Sequence, residues 1–261
     1  MKIYIQTLGC KVNQYESQAM ETILTSRGHS ISVEEDGCDA YIVNTCAVTA
    51  ESGRKSRQAV RHLKSRNPNA ILAVCGCFSQ VSPREAEELG ADLVFGSGER
   101  LRFIESLEQI FEARTKIVHV GEALKRRTYE ELPAGNLAGR TRAMLKIQDG
   151  CSNFCSYCII PYARGPVRSL PLEKAAKEAE KLCKEGYKEL VITGIEIASY
   201  GKDFRGDTGL ADVVIAVGTA AKTARIRLGS LEPRVITECF CEKLKGLDNL
   251  CGHFHLSLQI G

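Results

Sequence analysis

The sequence lacks three features that would indicate a membrane protein, a secreted protein or a protein with a strong overall attraction for nucleic acid. Its 261 residues contain no run of about eighteen apolar residues, so no transmembrane helix is predicted. The start, MKIYIQTLGC, has no charged segment followed by an apolar run and no small-residue cleavage site, so we expect no signal peptide. The formal net charge is only +3, so a nucleic-acid partner would have to bind local basic patches.

Cysteine, by contrast, is abundant. The chain contains twelve cysteines, and without a secretion signal we expect a cytoplasmic location that keeps them reduced. So many thiols in a reducing compartment indicate metal or redox chemistry rather than a disulfide framework. We therefore expect a cytoplasmic protein that does not bind membranes and that uses thiols as ligands.

The order of apolar runs predicts an α/β fold with two domains. Residues 1–120 alternate short strands with helices, the first helix being predicted over residues 17–27, which is typical of a doubly wound parallel sheet. Residues 121–140 mix charge with Pro, Ala and Gly without a clear period and are predicted to be a linker. Residues 141–261 show four strand patterns separated by three helices, the fourth strand being predicted over HFHLSLQ; this order is typical of a (βα) barrel. Because four parallel strands cannot close a barrel, we expect this second domain to be truncated.

Three cysteines of the first domain directly follow predicted strands. Cys10, Cys46 and Cys77, which we call the first triplet, end the runs YIQTLGC, YIVNTC and AVCGC. The carboxyl ends of parallel strands lie along one edge of the sheet, so these distant thiols are expected to converge. Cys75 competes with Cys77, because strand alternation would point both side chains to the same face.

Three further cysteines lie together after the first barrel strand. Cys151, Cys155 and Cys158, the second triplet, form a C-x3-C-x2-C motif in GCSNFCSYC, at the strand end where barrels place their chemistry. A closed zinc site needs four ligands, so three thiolates suit a metal site with one open position. The alternatives are a zinc ion with an outside ligand, or free thiols.

The spacing and position of the second triplet resemble the radical S-adenosylmethionine (SAM) superfamily. The resemblance implies that Cys151, Cys155 and Cys158 hold a [4Fe-4S] cluster whose fourth iron binds SAM. A reductant such as flavodoxin or ferredoxin would then supply the electron that cleaves SAM to a carbon radical. Tyr157 matches the aromatic residue that the superfamily places near the adenine of SAM, and Gly194 and Glu196 follow a strand where the superfamily contacts the SAM amino end. Arg227, Ser230 and Gln259 lie at or beyond the ends of later strands and are candidate SAM or substrate contacts, with simple solvation as the alternative.

The first triplet lies in motifs that resemble the N-terminal domain of the methylthiotransferases: TLGCKVNQYES, NTCAVT and GCFSQ. This resemblance implies that Cys10, Cys46 and Cys77 hold another [4Fe-4S] cluster, whose open iron would carry the sulfur to be inserted. The family pattern of Gly-Cys, an aromatic residue and then Gln favours Cys77 over Cys75. With two [4Fe-4S] clusters and SAM as cofactors, the implied reaction replaces C–H by C–S–CH3.

The residues that follow Cys10 indicate which substrate the protein modifies. Lys11-Val12-Asn13 followed by Gln-Tyr-Glu resembles the subgroup that acts at C2 of N6-threonylcarbamoyladenosine, position 37 of tRNA. The alternative substrates are isopentenyladenosine in tRNA and a ribosomal protein aspartate. A non-catalytic iron–sulfur carrier or scaffold is the alternative from another functional class. The protein is expected to act on tRNA as a monomer.

Two groups of basic residues are candidates for RNA contact. Arg54, Arg57, Arg61 and Lys64 recur at helical spacing and share one face of the helix predicted over 50–66, although a solvated surface has the same pattern. Arg164 and Arg168 in RGPVRS match a family segment and are expected to meet phosphates near the barrel mouth.

Overall fold

The computed structural model describes residues 1–134 and 141–258 and divides the chain into two compact units. The N-terminal unit consists of Met1–Arg126 together with Asn153–Gly165, and the C-terminal unit consists of Arg127–Ser152 and Pro166–Gly261. The chain first passes from one unit to the other between Arg126 and Arg127, inside the predicted linker. Parallel sheets and helices make up both units, which confirms the α/β fold class.

The N-terminal unit is built on a six-stranded sheet in the order β2-β1-β3-β4-β5-β6, in which all neighbours are parallel. The central strands β3 and β4 are buried along their whole length, as expected when helices cover both faces of a parallel sheet. The six strands are β1 Lys2–Thr7, β2 Ser30–Ser32, β3 Ala40–Thr45, β4 Ile71–Gly76, β5 Leu93–Phe95 and β6 Ile117–His119.

Helices pack on both faces of this sheet and bury two apolar layers. Met20 and Leu24 of α1 join Phe103 and Leu107 of α5 in one layer, while Leu63 of α2 lies in the other. The helices of this part of the chain are α1 Lys11–Ser26, α2 Ala50–Arg66, α3 Cys77–Val81, α4 Pro83–Glu88 and α5 Arg100–Ala113. This arrangement confirms the predicted doubly wound domain.

The start of α2 is fixed by local chemistry that can be read in the sequence. The Thr49 side chain accepts a hydrogen bond from the Ser52 backbone N–H, and Ser52 Oγ accepts one from the Thr49 N–H. This reciprocal capping box satisfies two backbone donors that a helix otherwise leaves without partners. It orients the helix that begins four residues after Cys46.

The C-terminal unit contains a three-stranded parallel sheet in the order β11-β10-β7. Its strands are buried beneath α7 and α8, whose apolar faces include Leu182 and Val214. Two small sheets accompany it: β8 pairs antiparallel with β9, and β12 pairs parallel with β13. The strands are β7 Arg142–Lys146, β8 Gln148–Asp149, β9 Arg168–Ser169, β10 Glu189–Thr193, β11 Arg225–Leu228, β12 Ser230–Leu231 and β13 His255–Leu256. The remaining α-helices are α6 Ile160–Arg164, which belongs to the N-terminal unit, α7 Leu172–Lys184, α8 Leu210–Ala220 and α9 Glu238–Leu244.

Two predicted elements differ from the structure. The fourth barrel strand, expected over HFHLSLQ, is reduced among the described residues to β13, which pairs with β12 rather than with β11. Helix α1 begins at Lys11, immediately after Cys10, instead of near Ser17. In residues 1–134 and 141–258, no helix has the length and apolar character needed to span a membrane.

Candidate metal centres

The first triplet lies at the carboxyl ends of three adjacent strands. Cys46 directly follows β3, and Cys77 directly follows β4 and opens α3. Cys10 follows β1 after a two-residue turn and is the N-cap of α1. Because β3 lies between β1 and β4, the three cysteines share one edge of the sheet.

Two glycines allow the three backbones to approach each other. Gly9 has φ +105°, and a Cβ at this position would lie 2.8 Å from Cys46 Cβ and 3.0 Å from its Sγ. Gly76 has φ +107°, and its Cβ would lie 2.4 Å from the Thr45 carbonyl oxygen. Only glycine tolerates both the backbone angle and the contact. The two Gly-Cys pairs are therefore pressed against the end of β3 that carries Cys46.

Cys75 and Cys77 lie in different elements. Strand β4 ends at Gly76, whose positive φ precedes Cys77 at the start of α3. Both thiols lie near the charges of Arg164 and Glu16, so the choice between them as ligand stays a prediction. Cys75 is fully buried in the apolar layer beside α1 and α5, and burial raises its pKa to about 11. Burial raises the pKa of Cys77 to about 11 as well, and the charge of Arg164 opposes the shift at both thiols; only Cys77 accepts a hydrogen bond from Arg164, whose Nε donates to Sγ at 3.3 Å.

A network of amides and hydroxyls holds the loops around the first triplet. Cys10 Sγ donates to Asn13 Oδ1 at 3.3 Å, and Asn13 Nδ2 donates to the Thr45 carbonyl at 2.9 Å. Asn44 Nδ2 donates to the Asn13 carbonyl at 3.0 Å. Ser56 of α2 accepts from the Cys46 N–H at 3.1 Å and donates to its carbonyl at 2.8 Å. These bonds satisfy buried polar groups and fix the backbone of Cys46 between its neighbours.

Arg164 and Arg168 do not face solvent, so the structure does not place them where phosphates would meet them. Arg164 is 0% exposed and ion-paired with Glu16. Arg168 is 4% exposed, donates to the Pro166 carbonyl at 2.6 Å and lies 3.7 Å from an Asp149 carboxylate oxygen. The sequence pattern alone could not reveal this burial, because arginine usually occupies surfaces.

The second triplet lies in a loop without regular secondary structure. Cys151 is buried and belongs to the C-terminal unit, whereas Cys155 is exposed and Cys158 half-buried in the N-terminal unit. The Cys158 N–H donates to the Cys155 carbonyl at 2.9 Å, which closes a tight turn. Phe154 has φ +48°, an uncommon conformation for a bulky side chain. Tyr157, predicted to lie near the SAM adenine, is 69% exposed.

A buried glutamine, Gln148, organises the predicted SAM-binding residues of the C-terminal unit. Its Oε1 accepts from the Glu196 N–H at 2.8 Å, and its Nε2 donates to the Gly150 carbonyl at 2.6 Å. Gly194 directly follows β10, where an added Cβ would lie 2.8 Å from Gln148 Oε1. Burial raises the pKa of Glu196, while the Ala198 N–H, which donates to its Oε1, opposes that shift. The loop before Cys151 and the loop carrying Glu196 are thus joined through one side chain.

The other predicted cofactor residues are less well placed. Arg227 Nε donates to Glu189 Oε1 at 2.9 Å, and Glu189 is the first residue of β10, so this side chain points away from the carboxyl edge. Ser230 is exposed at the start of β12. Gln259 lies outside the described residues.

The basic face of α2 is partly neutralised by acidic neighbours. Arg54 pairs with Glu51 at 2.7 Å, Arg57 with Glu85 at 2.6 Å, and Lys64 with Asp92 at 3.0 Å. Arg61 is exposed on the same helix. The Arg54–Glu51 pair is exposed and therefore weak, so phosphate could replace its carboxylate at small cost, whereas the other two pairs are half-buried.

Within residues 1–134 and 141–258, no three Cys, His, Asp or Glu side chains are close enough to bind one metal ion together. Ligands of one zinc ion lie about 4 Å apart, given Zn–S distances of about 2.3 Å. The thiolates of a four-iron cluster each bind a different iron and are spaced more widely. Three thiols at one sheet edge, two of them buried, fit such a cluster as donors.

Comparisons with known proteins agree with this arrangement. The model of the uncharacterized protein family UPF0004 matches residues 2–96, and the Radical SAM superfamily model matches residues 145–261. The threonylcarbamoyladenosine tRNA methylthiotransferase MtaB of Bacillus subtilis is 40% identical over 99% of this chain and 58% of its own length. The Aquifex aeolicus protein of that name is 36% identical over 100% of this chain and 63% of its own length.

These matches together support the methylthiotransferase family of radical SAM proteins. The chain spans about three fifths of the length of these two relatives. A tRNA-2-methylthio-N(6)-dimethylallyladenosine synthase of Clostridium tetani is 32% identical over 99% of this chain and 58% of that protein. Membership in a radical SAM family implies a [4Fe-4S] cluster and SAM.

The fold also has a structural relative. The radical SAM methyltransferase TsrM of Kitasatospora setae, solved with tryptophan and a SAM analogue, aligns over 98% of this chain and 59% of its own. The TM-score is 0.66 and the sequence identity 14%, so the likeness concerns the fold alone.

Several residues near these sites were not predicted from the sequence. Asn13, Glu16 and Gln148 are buried polar side chains within the quoted motifs or next to them, and Arg100 is a fully buried cation far from any motif. Asn13 and Glu16 lie in KVNQYES, where five of seven residues are polar, which is unusual for the start of a helix packed on a sheet. That signal could have indicated a buried polar network.

Proposed function

We propose that the protein is a radical SAM methylthiotransferase that converts C–H to C–S–CH3 at C2 of N6-threonylcarbamoyladenosine, position 37 of tRNA. The motif KVNQYE after Cys10 supports this substrate. So do the relatives named threonylcarbamoyladenosine tRNA methylthiotransferase, at 36–40% identity, against 32% for the dimethylallyladenosine synthase of Clostridium tetani.

The observation that carries the proposal is the placement of Cys10, Cys46 and Cys77 at one sheet edge. Cleavage of SAM requires only the second triplet, so a second set of three converging thiols calls for a further task. Two of these thiols are buried, which protects a bound sulfur species from water. Insertion of sulfur needs such a second centre, whereas a generic radical SAM enzyme does not.

Each triplet is assigned one [4Fe-4S] cluster, and each cluster keeps one iron without a protein ligand. When bound, the clusters and SAM supply the radical chemistry and the sulfur, with electrons from a carrier such as flavodoxin or ferredoxin. The chain's own residues hold and orient these groups: Glu196 and Gly194 lie on the loop after β10, and Gln148 fixes that loop.

The tRNA is assigned to the exposed basic face of α2. Arg61 offers an exposed guanidinium, and Arg54 can exchange its exposed, weak carboxylate pair for phosphate. Arg57 and Lys64 would join this contact only after their half-buried pairs break. The enzyme is assigned to the cytoplasm, where a reducing environment preserves the cluster thiols, and it acts as a monomer.

Substitution of one cysteine in each triplet tests whether the first triplet serves sulfur transfer and the second serves SAM cleavage. The reconstituted protein should contain about eight irons and eight sulfides per chain. Cys10→Ala should retain reductive release of 5′-deoxyadenosine from SAM and lose methylthio transfer to unmodified tRNA, because only the sulfur centre is damaged. Cys151→Ala should lose both activities. Mass analysis of the tRNA nucleosides and of SAM products measures the two reactions separately.

The controls and contrary results are equally specific. Cys239→Ala, an exposed cysteine outside both triplets, should retain both reactions. Full methylthio product from Cys10→Ala would show that the first triplet does not carry the sulfur. A product on isopentenyladenosine or on a ribosomal protein aspartate instead would keep the reaction type and change the substrate.

A further inference from the structure

Three buried charged side chains lie beside the first triplet, all within the N-terminal unit. Glu16 of α1 accepts from both Arg100 and Arg164, with Arg100 Nη2 at 3.0 Å and Arg164 Nη2 at 3.4 Å. The shortest contact of the group joins Arg164 Nη1 and Glu16 Oε1. The side chains of Arg100 and Arg164 are 0% exposed and that of Glu16 is 2% exposed. Two positive charges and one negative charge are thus withdrawn from water.

Each of the three side-chain nitrogens of Arg164 donates a hydrogen bond near the first triplet. Nε donates to Cys77 Sγ at 3.3 Å, and Nη2 donates to Asn13 Oδ1 at 3.0 Å. The same Asn13 oxygen accepts from Cys10 Sγ at 3.3 Å. One side chain therefore contacts one cysteine of the triplet directly and a second one through a single amide.

Burial of charge is costly unless an opposite charge and hydrogen bonds compensate it. A guanidinium directed at sulfur is compensated best when that sulfur is a thiolate, since charged acceptors form the stronger bonds. A four-iron core bound by three thiolates carries net negative charge, which increases when the cluster is reduced. Hydrogen bonds to the sulfurs and local charge are two of the factors that set the reduction potential of such clusters.

We propose that Arg164 is a positioning residue for the cluster at Cys10, Cys46 and Cys77: its Nε–H donates to the Cys77 sulfur, and its buried charge favours the reduced cluster. Glu16 opposes this charge and so limits the effect. The inference rests on the proposed function, because it requires a cluster at the first triplet.

The position of Arg164 in the chain gives this contact a second role. Arg164 is the last residue of α6, which begins two residues after Cys158. Its bonds to Cys77 and Glu16 attach the segment that follows the second triplet to the first triplet. Ser97 Oγ strengthens the attachment by donating to the Ala163 carbonyl at 2.5 Å.

The reduction potential of the first cluster tests the inference in protein whose Cys151, Cys155 and Cys158 are replaced by Ala. This background should bind about four irons per chain after anaerobic reconstitution. Arg164→Met should shift the potential to more negative values, with about a tenfold lower ratio of reduced to oxidised cluster at the parent midpoint, because a charged hydrogen bond is lost. Glu16→Gln should shift the potential the opposite way. Electron paramagnetic resonance during a redox titration measures both shifts.

The opposite signs distinguish tuning from structural damage, since both substitutions break the same ion pair. Arg164→Lys, which keeps the charge and loses the planar fork, should give an intermediate potential. Arg102→Met on α5 removes a 59% exposed arginine and should leave the potential unchanged. Far-ultraviolet circular dichroism shows whether each variant is folded, and Glu16→Gln provides the test if Arg164→Met is not.

Two contrary results have different meanings. Equal potentials for the parent, Glu16→Gln and Arg164→Lys, or shifts of the same sign for Glu16→Gln and Arg164→Met, would overturn the inference and leave the two-cluster function intact. Failure of the folded parent background to bind iron would overturn the assignment of a cluster to the first triplet, and this inference with it.

Discussion

The two cysteine triplets are built in opposite ways. The first gathers thiols that lie tens of residues apart in sequence by placing them at the ends of three adjacent strands. The second keeps its thiols within eight residues of a loop that has no regular secondary structure. In the first triplet the sheet supplies the geometry, and in the second the spacing of the motif supplies it.

The two triplets also differ in how far their cysteines are buried. Cys46 and Cys77 are buried among hydrogen-bonded side chains, whereas Cys155 is exposed beside the exposed Phe154 and Tyr157. A site that is fixed by its scaffold suits a centre that must store a reactive group. A loop site with solvent access suits a centre that must admit and release a small molecule such as SAM at every turnover. The comparison shows that the cysteines of the first triplet are brought together by tertiary structure, whereas those of the second triplet are already close in sequence.

The largest expected difference between the triplets is thiol reactivity in cluster-free protein. At pH 8, a thiol with a pKa of about 11, as burial gives Cys77, is ionised in about one molecule in a thousand. We expect iodoacetamide to label the exposed Cys155 at least about a hundredfold faster than Cys77, with Cys239 as an exposed reference. The labelling rate of Cys77 should rise with pH towards 11. Peptide mass mapping over time gives the rates; similar rates for Cys77 and Cys155 would mean that the scaffold does not hold the first triplet without its cluster.

A smaller effect should follow from alteration of the scaffold itself. Gly76→Ala places a Cβ 2.4 Å from the Thr45 carbonyl oxygen at a positive φ, so we expect a loss of about 3 kcal/mol in the free energy of unfolding. Gly28→Ala is the matched control, since Gly28 has φ +84° and open space around it, and should cost about 1 kcal/mol. Urea denaturation measures both values. Equal losses would show that the contact at β3 is unimportant.

The smallest effect is expected in the loop of the second triplet. Phe154 adopts φ +48° and makes an edge contact with Tyr162 at 5.8 Å between ring centroids. Phe154→Asn removes the ring contact but suits the left-handed backbone, whereas Tyr162→Ala removes the same contact only. We expect Phe154→Asn to be more stable than Tyr162→Ala by about 0.5–1 kcal/mol in thermal unfolding. The reverse order would indicate that the Phe154 ring, rather than the backbone, stabilises the loop.

The convergence of the first triplet could be predicted because it depends on one rule, that parallel strands end along a common edge. The helix Ala50–Arg66 could be predicted to its last residue because its cap and its apolar spacing are local. The end of strand β4 between Cys75 and Cys77 could not be predicted, since the alternation of side chains does not indicate the positive φ of Gly76 at which the strand ends.

The burial of Arg164 was equally inaccessible to sequence reasoning. Its partner Glu16 lies 148 residues away, and no local pattern indicates which cation will meet which carboxylate across that distance. From sequence alone a charged residue is predicted to be exposed, because charged side chains are rarely buried unless the fold pairs them with an opposite charge. The sequence pattern therefore led to phosphate contacts for a residue that the structure places inside the protein.

The N-terminal unit is discontinuous in the chain, and this has a consequence for its biosynthesis. Residues 153–165 return to a unit whose other residues all precede Arg127. A ribosome releases Cys10, Cys46 and Cys77 first, and the guanidinium that contacts Cys77 follows only after Cys151, Cys155 and Cys158 have emerged. The surroundings of the first triplet therefore depend on a segment that is synthesised later. The nascent protein completes them only when all six cysteines have been made.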